Sequence, residues 1–250
     1  MSSAHPRILG VIPARLASTR LPGKVLRDIA GEPMLAWVYR AAKACPQLDE
    51  VIVATDSSEV QQLCDQRGWR CLLTSPDLPS GTDRLYAVSR AVDADIYVNI
   101  QGDEPLLLPD HISAILALFT SADVDVTTPK VRCTPEDISN PNAVKVVTAL
   151  DGRALYFSRS TIPFDRDGNG DATYWKHLGL YAYRRAALER FAALAPSELE
   201  LSERLEQLRL LENGISIYVA ETMHDTIGVD TEEDRQRVEA ILLSRDMNNT

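Results

Sequence analysis

The sequence lacks any long apolar run, and this absence limits the classes of protein to which it can belong. No stretch approaches the roughly 20 apolar residues that a membrane-spanning helix needs. The short segment before Ile8 is polar and contains no apolar core of a secretory signal. We therefore expect a cytoplasmic chain that has no membrane partner.

Cysteine is scarce, and its spacing excludes most structural uses. The sequence has 4 cysteines, none of them in a C-x-x-C pair and none with a nearby histidine at zinc-site spacing. They are expected to be reduced thiols, in keeping with a reducing compartment. No disulfide or structural metal is needed for folding, because hydrophobic residues make up 45% of the chain.

Several familiar motifs are also missing. The absence of G-x-G-x-x-G removes the main support for a dinucleotide-dependent dehydrogenase, and no G-x-S-x-G nucleophile elbow occurs. A Walker A loop would need a glycine five residues before Gly23, where the sequence has Ser18.

Positive charge is in deficit, since the formal net charge is −10. A chain this acidic is a poor candidate for non-specific binding of nucleic acid or anionic membranes. It can still bind an anionic small molecule if cations cluster locally or a metal ion neutralises the charge. The 250 residues suffice for one large α/β domain or for a domain with an attached lobe.

In the first half of the chain, short apolar runs alternate with amphipathic stretches, which predicts a parallel sheet covered by helices. A helix is expected after Asp56, which is placed to cap it with Glu59 three residues on. The pattern predicts strands at 8–12, 50–55, 70–73, 96–101 and 124–131, and helices at 34–44, 83–91 and 109–119.

The second half has a different rhythm. Asp151-Gly152 predicts a hairpin between strands at 143–148 and 154–157. The pattern then predicts strands at 178–183 and 215–220, helices at 186–194 and 201–212, and a last helix from Thr231. We expect a nucleotide-binding core at about 7–130 and 215–245, with an inserted lobe at about 131–214.

The loop after the first strand is a basic island in this acidic chain. It runs from Pro13 to Lys24 and contains Arg15, Arg20 and Lys24 but no acid. Ligands of open parallel sheets bind at the carboxyl ends of the strands, so this position favours a polyphosphate site over a solvated surface loop. Guanidinium groups, backbone N–H groups and a mobile lysine suit phosphate oxygens.

Acidic residues follow two later strands. Gln101-Gly-Asp-Glu-Pro105 places Asp103 directly after an apolar strand, and Gly228-Val-Asp230 precedes the last helix. Mg²⁺ usually takes one or two carboxylates with phosphate oxygens and water, so Asp103 and Asp230 are candidate ligands if they meet in space. Alternatively, Asp103 lies in a solvated turn and Asp230 only caps the last helix. His177, a lone histidine entering a strand, is more simply read as structural.

Taken in order, these segments resemble the 3-deoxy-manno-octulosonate cytidylyltransferase (CMP-KDO synthetase) family over about 8–238. The resemblance is carried by Pro13-Ala-Arg15, Ala17-Ser-Thr-Arg-Leu-Pro-Gly-Lys24, Val53-Ala-Thr-Asp56, Ser80-Gly-Thr82, Gln101-Gly-Asp-Glu-Pro105, Asn140-Pro-Asn-Ala-Val-Lys145, Leu155-Tyr-Phe-Ser-Arg159, His177-Leu-Gly179, Leu205-Glu-Gln-Leu-Arg209 and Gly228-Val-Asp230.

The resemblance implies a fold and a set of roles. The fold is α/β and similar to nucleotide-diphospho-sugar transferases, with a Rossmann-like mixed sheet, helices on both faces and an inserted β/α dimerisation lobe. Arg15, Lys24, Asp103 and Asp230 are implied to be catalytic, the two aspartates as ligands of Mg²⁺. Implied nucleotide-binding residues are Pro13, Ala14, Arg15, Ser18, Arg20, Lys24, Ala54, Thr55, Asp56, Ser80, Gly81, Thr82, Arg84 and Gln101. Implied sugar-acid contacts are Gln101, Arg159, His177, Tyr181, Glu206 and Gln207.

The implied activity is transfer of CMP from CTP to the anomeric hydroxyl of 3-deoxy-D-manno-octulosonate (KDO) with release of pyrophosphate, for lipopolysaccharide synthesis, by a homodimer. An 8-amino-KDO or another ulosonic acid would keep the same chemistry. A sialic-acid cytidylyltransferase is less well supported, because its Gly-Gly-Ser-Lys-rich loop is absent. A non-catalytic nucleotide-binding regulator remains an alternative from a different class.

Overall fold

The computed structural model describes residues 5–16 and 20–248, which form two compact units. The first unit comprises the chain up to Ile112 together with the segment from Thr226 onward, and the second comprises Ser113–Asp225. The lobe predicted at about 131–214 lies within the second unit. Its role in sugar binding and dimerisation stays a prediction.

The first unit is built on four parallel strands in the order β5-β4-β1-β6. They alternate with helices, as the sequence pattern predicts. In chain order the elements are β1 (Ile8–Pro13), a 3₁₀ turn (Lys24–Leu26), β2 (Asp28–Ile29), β3 (Glu32–Pro33), α1 (Met34–Lys43), β4 (Glu50–Thr55), α2 (Ser58–Arg67), β5 (Cys71–Leu73), α3 (Gly81–Ala91), β6 (Ile96–Asn99) and α4 (Pro109–Leu116), which extends into the second unit.

Strands β1 and β4 form the centre of this sheet, and their composition explains why. Every residue from Ile8 to Ile12 is buried, as are the last five residues of β4. Runs of this kind are typical of strands covered on both faces. The register pairs Pro13 with Ala54, so the carboxyl ends of β1 and β4 lie at one edge. Ligands of open parallel sheets bind at this edge.

Two helix starts in the first unit differ from the prediction. Ser57, not Asp56, caps α2, because the Ser57 hydroxyl accepts hydrogen bonds from the N–H groups of Glu59 and Val60. Helix α3 begins two residues earlier than predicted, since Ser80 caps it and accepts from the N–H of Asp83. Both serines satisfy N–H groups that a helix start otherwise leaves without partners.

The second unit is a mixed sheet centred on β7 (Val126–Arg132). Strand β7 pairs in parallel with the C-terminal strand of this unit and antiparallel with two others. The remaining elements are α5 (Pro135–Ser139), β8 (Lys145–Thr148), β9 (Ala154–Ser158), β10 (Trp175–His177), β11 (Tyr181–Arg184), α6 (Arg185–Ala192), α7 (Glu198–Glu203), α8 (Leu208–Glu212) and β12 (Ile217–Glu221). The predicted hairpin is confirmed, because β8 and β9 pair antiparallel with Gly152 at φ 85° in the turn.

The single helix predicted at 201–212 is wrong. Helix α7 begins earlier, at Glu198, after the capping residue Ser197, whose N–H donates to Glu200. It ends at Glu203, because the next residue, Arg204, has a φ of 55°. A left-handed residue cannot continue a right-handed helix, so the chain turns before α8 begins at Leu208. The strand predicted at 178–183 begins only at Tyr181, as β11. Strand β10 precedes it at 175–177 and was not predicted, and the two pair with different parts of β7.

The C-terminal segment returns to the first unit, where α9 (Glu232–Asn248) packs on the start of α1. Met34, Leu106, Val229, Val238 and Leu242 belong to one buried cluster. Thr231 caps α9 as predicted: its hydroxyl accepts from the N–H of Asp234, and its own N–H donates to the Asp234 carboxylate. This cap fixes the backbone next to Asp230.

Candidate active site

The basic loop leaves β1 at the sheet edge and returns in a tight turn. The Gly23 N–H donates to the Leu16 carbonyl at 3.2 Å, so the ends of the loop meet. Gly23 has a φ of 67°, a conformation that glycine adopts without strain, and it initiates the 3₁₀ turn. Lys24 is therefore the first residue of that turn, and its side chain is mostly buried.

Lys24 joins the two candidate carboxylates. Its ammonium donates to Asp103 in a short hydrogen bond and to Asp230 Oδ1 at 3.0 Å. The Arg20 guanidinium contacts the other oxygen of Asp230 at 2.8 Å. Burial alone lowers the pKa of Lys24, but the charges and hydrogen bonds of Asp103 and Asp230 outweigh it, so the pKa is raised. Lys24 is thus a charged ammonium at neutral pH.

Backbone contacts hold the two aspartates together. The Val229 N–H donates to the Asp103 carbonyl at 2.9 Å, which brings residues far apart in sequence side by side. Gly102 lies so close to the end of β1 that an added Cβ would be 2.8 Å from the Pro13 carbonyl oxygen. Only glycine allows this approach, and it sets the distance between the Asp103 turn and the basic loop.

These groups line a cavity of about 290 Å³ in the first unit. Its charged wall combines three cations with two carboxylates, and Gln101 adds an amide. Such a cavity offers donors for an anion and oxygen ligands for a cation. The lining residues are Pro13, Arg15, Arg20, Lys24, Val25, Gly81, Gln101, Gly102, Asp103 and Asp230.

Next to this cavity, buried residues connect the ends of β1 and β4. The Ala14 N–H donates to the Ala54 carbonyl at 2.9 Å, and the Thr55 hydroxyl donates to the Ala14 carbonyl at 2.6 Å. Asp56 accepts from the Arg84 guanidinium at 2.6 Å, and Arg84 is fully buried. The Arg84 guanidinium therefore anchors Asp56 within the protein.

The second unit places His177 in an apolar cage. The ring lies 4.9 Å from Phe157 and 5.3 Å from Tyr181, and its Nε2 is 2.9 Å from the Thr128 hydroxyl. That hydroxyl also lies 2.7 Å from the Leu180 carbonyl. Since it has one proton to donate, and a carbonyl can only accept, it accepts from Nε2–H of a neutral ring. Burial lowers the pKa of His177 to about 3.

Arg159 and Gln207 flank the break between α7 and α8. The Arg159 guanidinium donates to the carbonyls of Glu203, Pro141 and Arg204. Gln207 is 6% exposed, and its Nε2 has no hydrogen-bond partner among the described residues. A buried amide without a partner is costly, so this donor is suited to pair with a water molecule or a ligand.

Comparison with known proteins identifies the family. The cytidylyltransferase family model matches residues 9–217. The chain is 65% identical to 3-deoxy-manno-octulosonate cytidylyltransferase of Acidobacterium capsulatum, over 98% of this chain and 99% of that protein. It is 59% identical to the protein of the same name from Koribacter versatilis, over 96% and 91%. The chain belongs to the 3-deoxy-manno-octulosonate cytidylyltransferase family.

Solved structures agree with this family and with the predicted fold. A CMP:2-keto-3-deoxy-manno-octonic acid synthetase complexed with CTP matches with a TM-score of 0.91 and 41% identity, over 96% of this chain and 99% of that one. A putative glucose-1-phosphate thymidylyltransferase from Bacillus anthracis matches with a TM-score of 0.67 at 16% identity, over 94% of each chain, which supports the fold alone. The predicted α/β nucleotide-sugar transferase fold is confirmed, as is the prediction of a cytidylyltransferase.

In this cytidylyltransferase, the structure gathers part of the predicted nucleotide set in one cavity. Asp103 and Asp230 both contact Lys24 there. Asp230 therefore lines the cavity, and the alternative that it only caps the last helix does not hold. Ala14, Ala54 and Thr55 are buried beside the cavity, while Ser18 lies outside the described residues. Val25 and Gly102 line the cavity but were not predicted. The position of Gly102 between the predicted site residues Gln101 and Asp103 could have indicated that it lines the cavity. Nothing in the sequence marks Val25.

Two absences concern the described residues only. Within 5–16 and 20–248, no helix is long and apolar enough to span a membrane. The same part of the chain contains no cluster of three or more histidine, cysteine, aspartate or glutamate side chains able to hold a metal ion. A cation in the cavity would therefore draw on two carboxylates and complete its coordination from ligand oxygens and water.

Proposed function

We propose that this cytidylyltransferase transfers CMP from CTP to the anomeric hydroxyl of KDO and releases pyrophosphate. The observation that carries the proposal is the convergence of Lys24, Asp103 and Asp230 at the sheet edge, in a chain 65% identical to a 3-deoxy-manno-octulosonate cytidylyltransferase. The paired carboxylates favour an enzyme over a nucleotide-binding regulator, because binding alone has little use for them.

The basic loop is suited to the triphosphate. Arg15 donates to the Pro79 carbonyl at 3.0 Å, which holds it at the cavity wall, and more of its N–H groups are available for phosphate oxygens. Arg20 is largely exposed, so it can reorient toward an entering anion. In the proposal, Ala54 to Asp56, Ser80 to Thr82 and Gln101 surround the cytidine, and the Gln101 amide can both donate and accept hydrogen bonds.

Mg²⁺ is part of the proposal, and the donor set fits it. Asp103 and Asp230 already converge on one cation, the Lys24 ammonium, and two carboxylates with phosphate oxygens and water suit Mg²⁺. When bound, this ion supplies charge neutralisation and polarisation at the α-phosphate and lowers the pKa of a coordinated hydroxyl. Asp103 and Asp230 would hold it.

The protein groups contribute positioning and charge compensation. In direct displacement the anomeric hydroxyl attacks the α-phosphorus, and the bond to the bridging oxygen of pyrophosphate breaks. Arg15 and Lys24 offset the negative charge that grows on the leaving pyrophosphate. Holding both substrates in line removes much of the entropic barrier to their reaction.

Residues of the second unit are proposed to receive the sugar acid. The unpartnered Gln207 amide suits a sugar hydroxyl or carboxylate. His177, with a pKa near 3, is too weak a base to take the anomeric proton efficiently at neutral pH, so it orients the pocket. Arg159, Tyr181 and Glu206 complete the proposed set. The cavity of the first unit does not distinguish KDO from 8-amino-KDO or another ulosonic acid.

The test is pyrophosphate release from CTP in the presence of Mg²⁺ and KDO, with controls that omit each component. Release that needs all three components supports the proposal. Release with 8-amino-KDO or another ulosonic acid, but not with KDO, would keep the chemistry and change the substrate. Binding of CTP without pyrophosphate release with any of these acids would favour the regulator.

Asp103→Asn tests the proposed role of the carboxylate pair. The change keeps the shape of the side chain but removes a charge, so turnover is expected to fall about 10²-fold or more with a much smaller loss of CTP affinity. Steady-state kinetics and CTP titration measure the two effects. Asp110→Asn, an exposed change on α4, is the control with wild-type turnover. Unchanged turnover in Asp103→Asn would remove Asp103 from the mechanism.

A further inference from the structure

The position between Asp103 and Asp230 is occupied by a side chain of the protein itself. The Lys24 ammonium donates to both carboxylates, and Arg20 adds a second cation on Asp230. Two carboxylates this close would repel each other without a cation between them. In the nucleotide-free chain, Lys24 therefore serves as the counter-cation of the carboxylate pair.

A divalent cation and this ammonium cannot share the position. Mg²⁺ binds carboxylate oxygens at about 2.0–2.1 Å, so an ion bridging Asp103 and Asp230 would lie almost where Nζ lies now. Contact between two cations at that distance is strongly repulsive. Any ion held by both carboxylates must first displace the Lys24 ammonium.

A displaced Lys24 has a suitable destination only when a phosphate is present. Lysine has a flexible four-carbon stem, and Lys24 lies on a turn that also faces the cavity with Arg15 and Arg20. Phosphate oxygens would replace the carboxylates as acceptors for its ammonium. Without them, displacement leaves a mostly buried ammonium with its carboxylate partners lost, which is costly.

We propose that Lys24 is an exchangeable counter-cation: it occupies the metal position of the nucleotide-free enzyme and gives it up when a triphosphate accepts it. Metal and nucleotide thus enter together, and the metal-binding carboxylates stay masked until CTP arrives. The inference rests on the proposed function in assigning a divalent cation to Asp103 and Asp230.

Binding of Mn²⁺ alone, without nucleotide, tests this exchange. Electron paramagnetic resonance of free Mn²⁺ and titration calorimetry give the affinity of wild type and of Lys24→Met. The variant keeps the length of the stem and removes the competing ammonium, so it is expected to bind Mn²⁺ about tenfold tighter or more. Arg20→Met, which removes the cation on Asp230 alone, is expected to give a smaller gain.

Lys43→Met is the matched control, because it removes the same charge from an exposed position on α1. It is expected to bind Mn²⁺ like wild type, which separates local exchange from the change in net charge. Thermal unfolding reports whether each variant folds and provides a second readout, since Mn²⁺ should raise the midpoint of Lys24→Met more than that of wild type.

Lys24→Met binding Mn²⁺ no tighter than Lys43→Met would overturn the inference. This outcome is separable from failure of the proposed function, which the pyrophosphate assay on the wild-type enzyme tests independently. If neither wild type nor Lys24→Met bound Mn²⁺, both the exchange and the assignment of a divalent cation to the carboxylate pair would fall.

Discussion

At the scale of single residues, His177 is an ionisable group kept neutral by its surroundings. Its ring touches Phe157 and Tyr181 and donates to Thr128, and burial lowers its pKa to about 3. An unfolded histidine has a pKa of about 6.5. Between these values the unfolded chain binds one more proton than the folded chain, so stability falls as the pH falls from about 6.5 toward 3.

His177→Gln is therefore expected to reduce the dependence of the free energy of unfolding on pH below about pH 6.5. The free energy of unfolding of wild type should fall more steeply below pH 6 than that of the variant, by up to about 1.4 kcal/mol per pH unit. Urea titrations at pH 7, 6, 5 and 4 measure both slopes. His5→Gln, a change at an exposed histidine, should keep the wild-type slope. Equal slopes for His177→Gln and wild type would show that folding does not lower the pKa of His177.

Among the site residues, the sequence could predict those that belong to local patterns but not the contacts between distant segments. The charges of Arg15, Arg20, Lys24 and Asp103 beside strand ends are local patterns, and the structure places them around one cavity. The contact between Lys24 and Asp230 joins residues at opposite ends of the chain, so no local pattern contains it. The burial of Arg84 against Asp56 was equally hidden, because it depends on how α3 packs.

At the scale of elements, the sequence predicted buried strands better than it predicted breaks within helices. The apolar run of a buried strand such as β4 is enough to predict the strand, and the predicted bounds of β4 are those of the structure. The 201–212 helix failed because its apolar pattern continues through Arg204, whose left-handed conformation has no signature in the sequence. Ser197-x-x-Glu200 matches the capping-box pattern of a helix start, and this pattern marks the observed start of α7.

Helix starts also offer an element-scale test, because two helices have matching caps. Thr231 with Asp234 opens α9 beside the cavity, and Thr134 with Asp137 opens α5 in the second unit. Each Thr→Ala change removes a cap and should cost about 1 kcal/mol of stability. Thr231→Ala is also expected to lower turnover several-fold, because Asp230 loses its fixed neighbour, whereas Thr134→Ala should not.

Chemical denaturation and pyrophosphate release measure these two effects separately. Comparable stability losses with a turnover defect in Thr231→Ala alone would tie the α9 cap to the position of Asp230. A turnover defect of equal size in Thr134→Ala would instead attribute both defects to general destabilisation.

At the scale of the whole molecule, the exposed apolar side chains indicate where the predicted homodimer can be tested. Most of the large exposed apolar side chains that the structure describes belong to the second unit: Leu150, Leu155, Phe164, Leu199, Leu201 and Met223. Leu150 and Leu155 both belong to the β8–β9 hairpin region, where solvent contact is unfavourable for leucine. The β8–β9 hairpin is therefore the place at which to test whether two copies of the chain pair.

Leu155→Glu tests whether this surface pairs two copies of the chain. Leu155 and Leu73 are each 60% exposed, but Leu155 lies on β9 of the second unit and Leu73 on β5 of the first. A glutamate buried in a symmetric interface faces its counterpart without a partner, so Leu155→Glu is expected to weaken dimerisation by tenfold or more. Light scattering coupled to size exclusion should give twice the 27.7 kDa chain mass for wild type and for Leu73→Glu, and a lower mass for Leu155→Glu on dilution. A wild-type chain that is monomeric, or a Leu155→Glu dimer as tight as that of Leu73→Glu, would place this surface outside any interface.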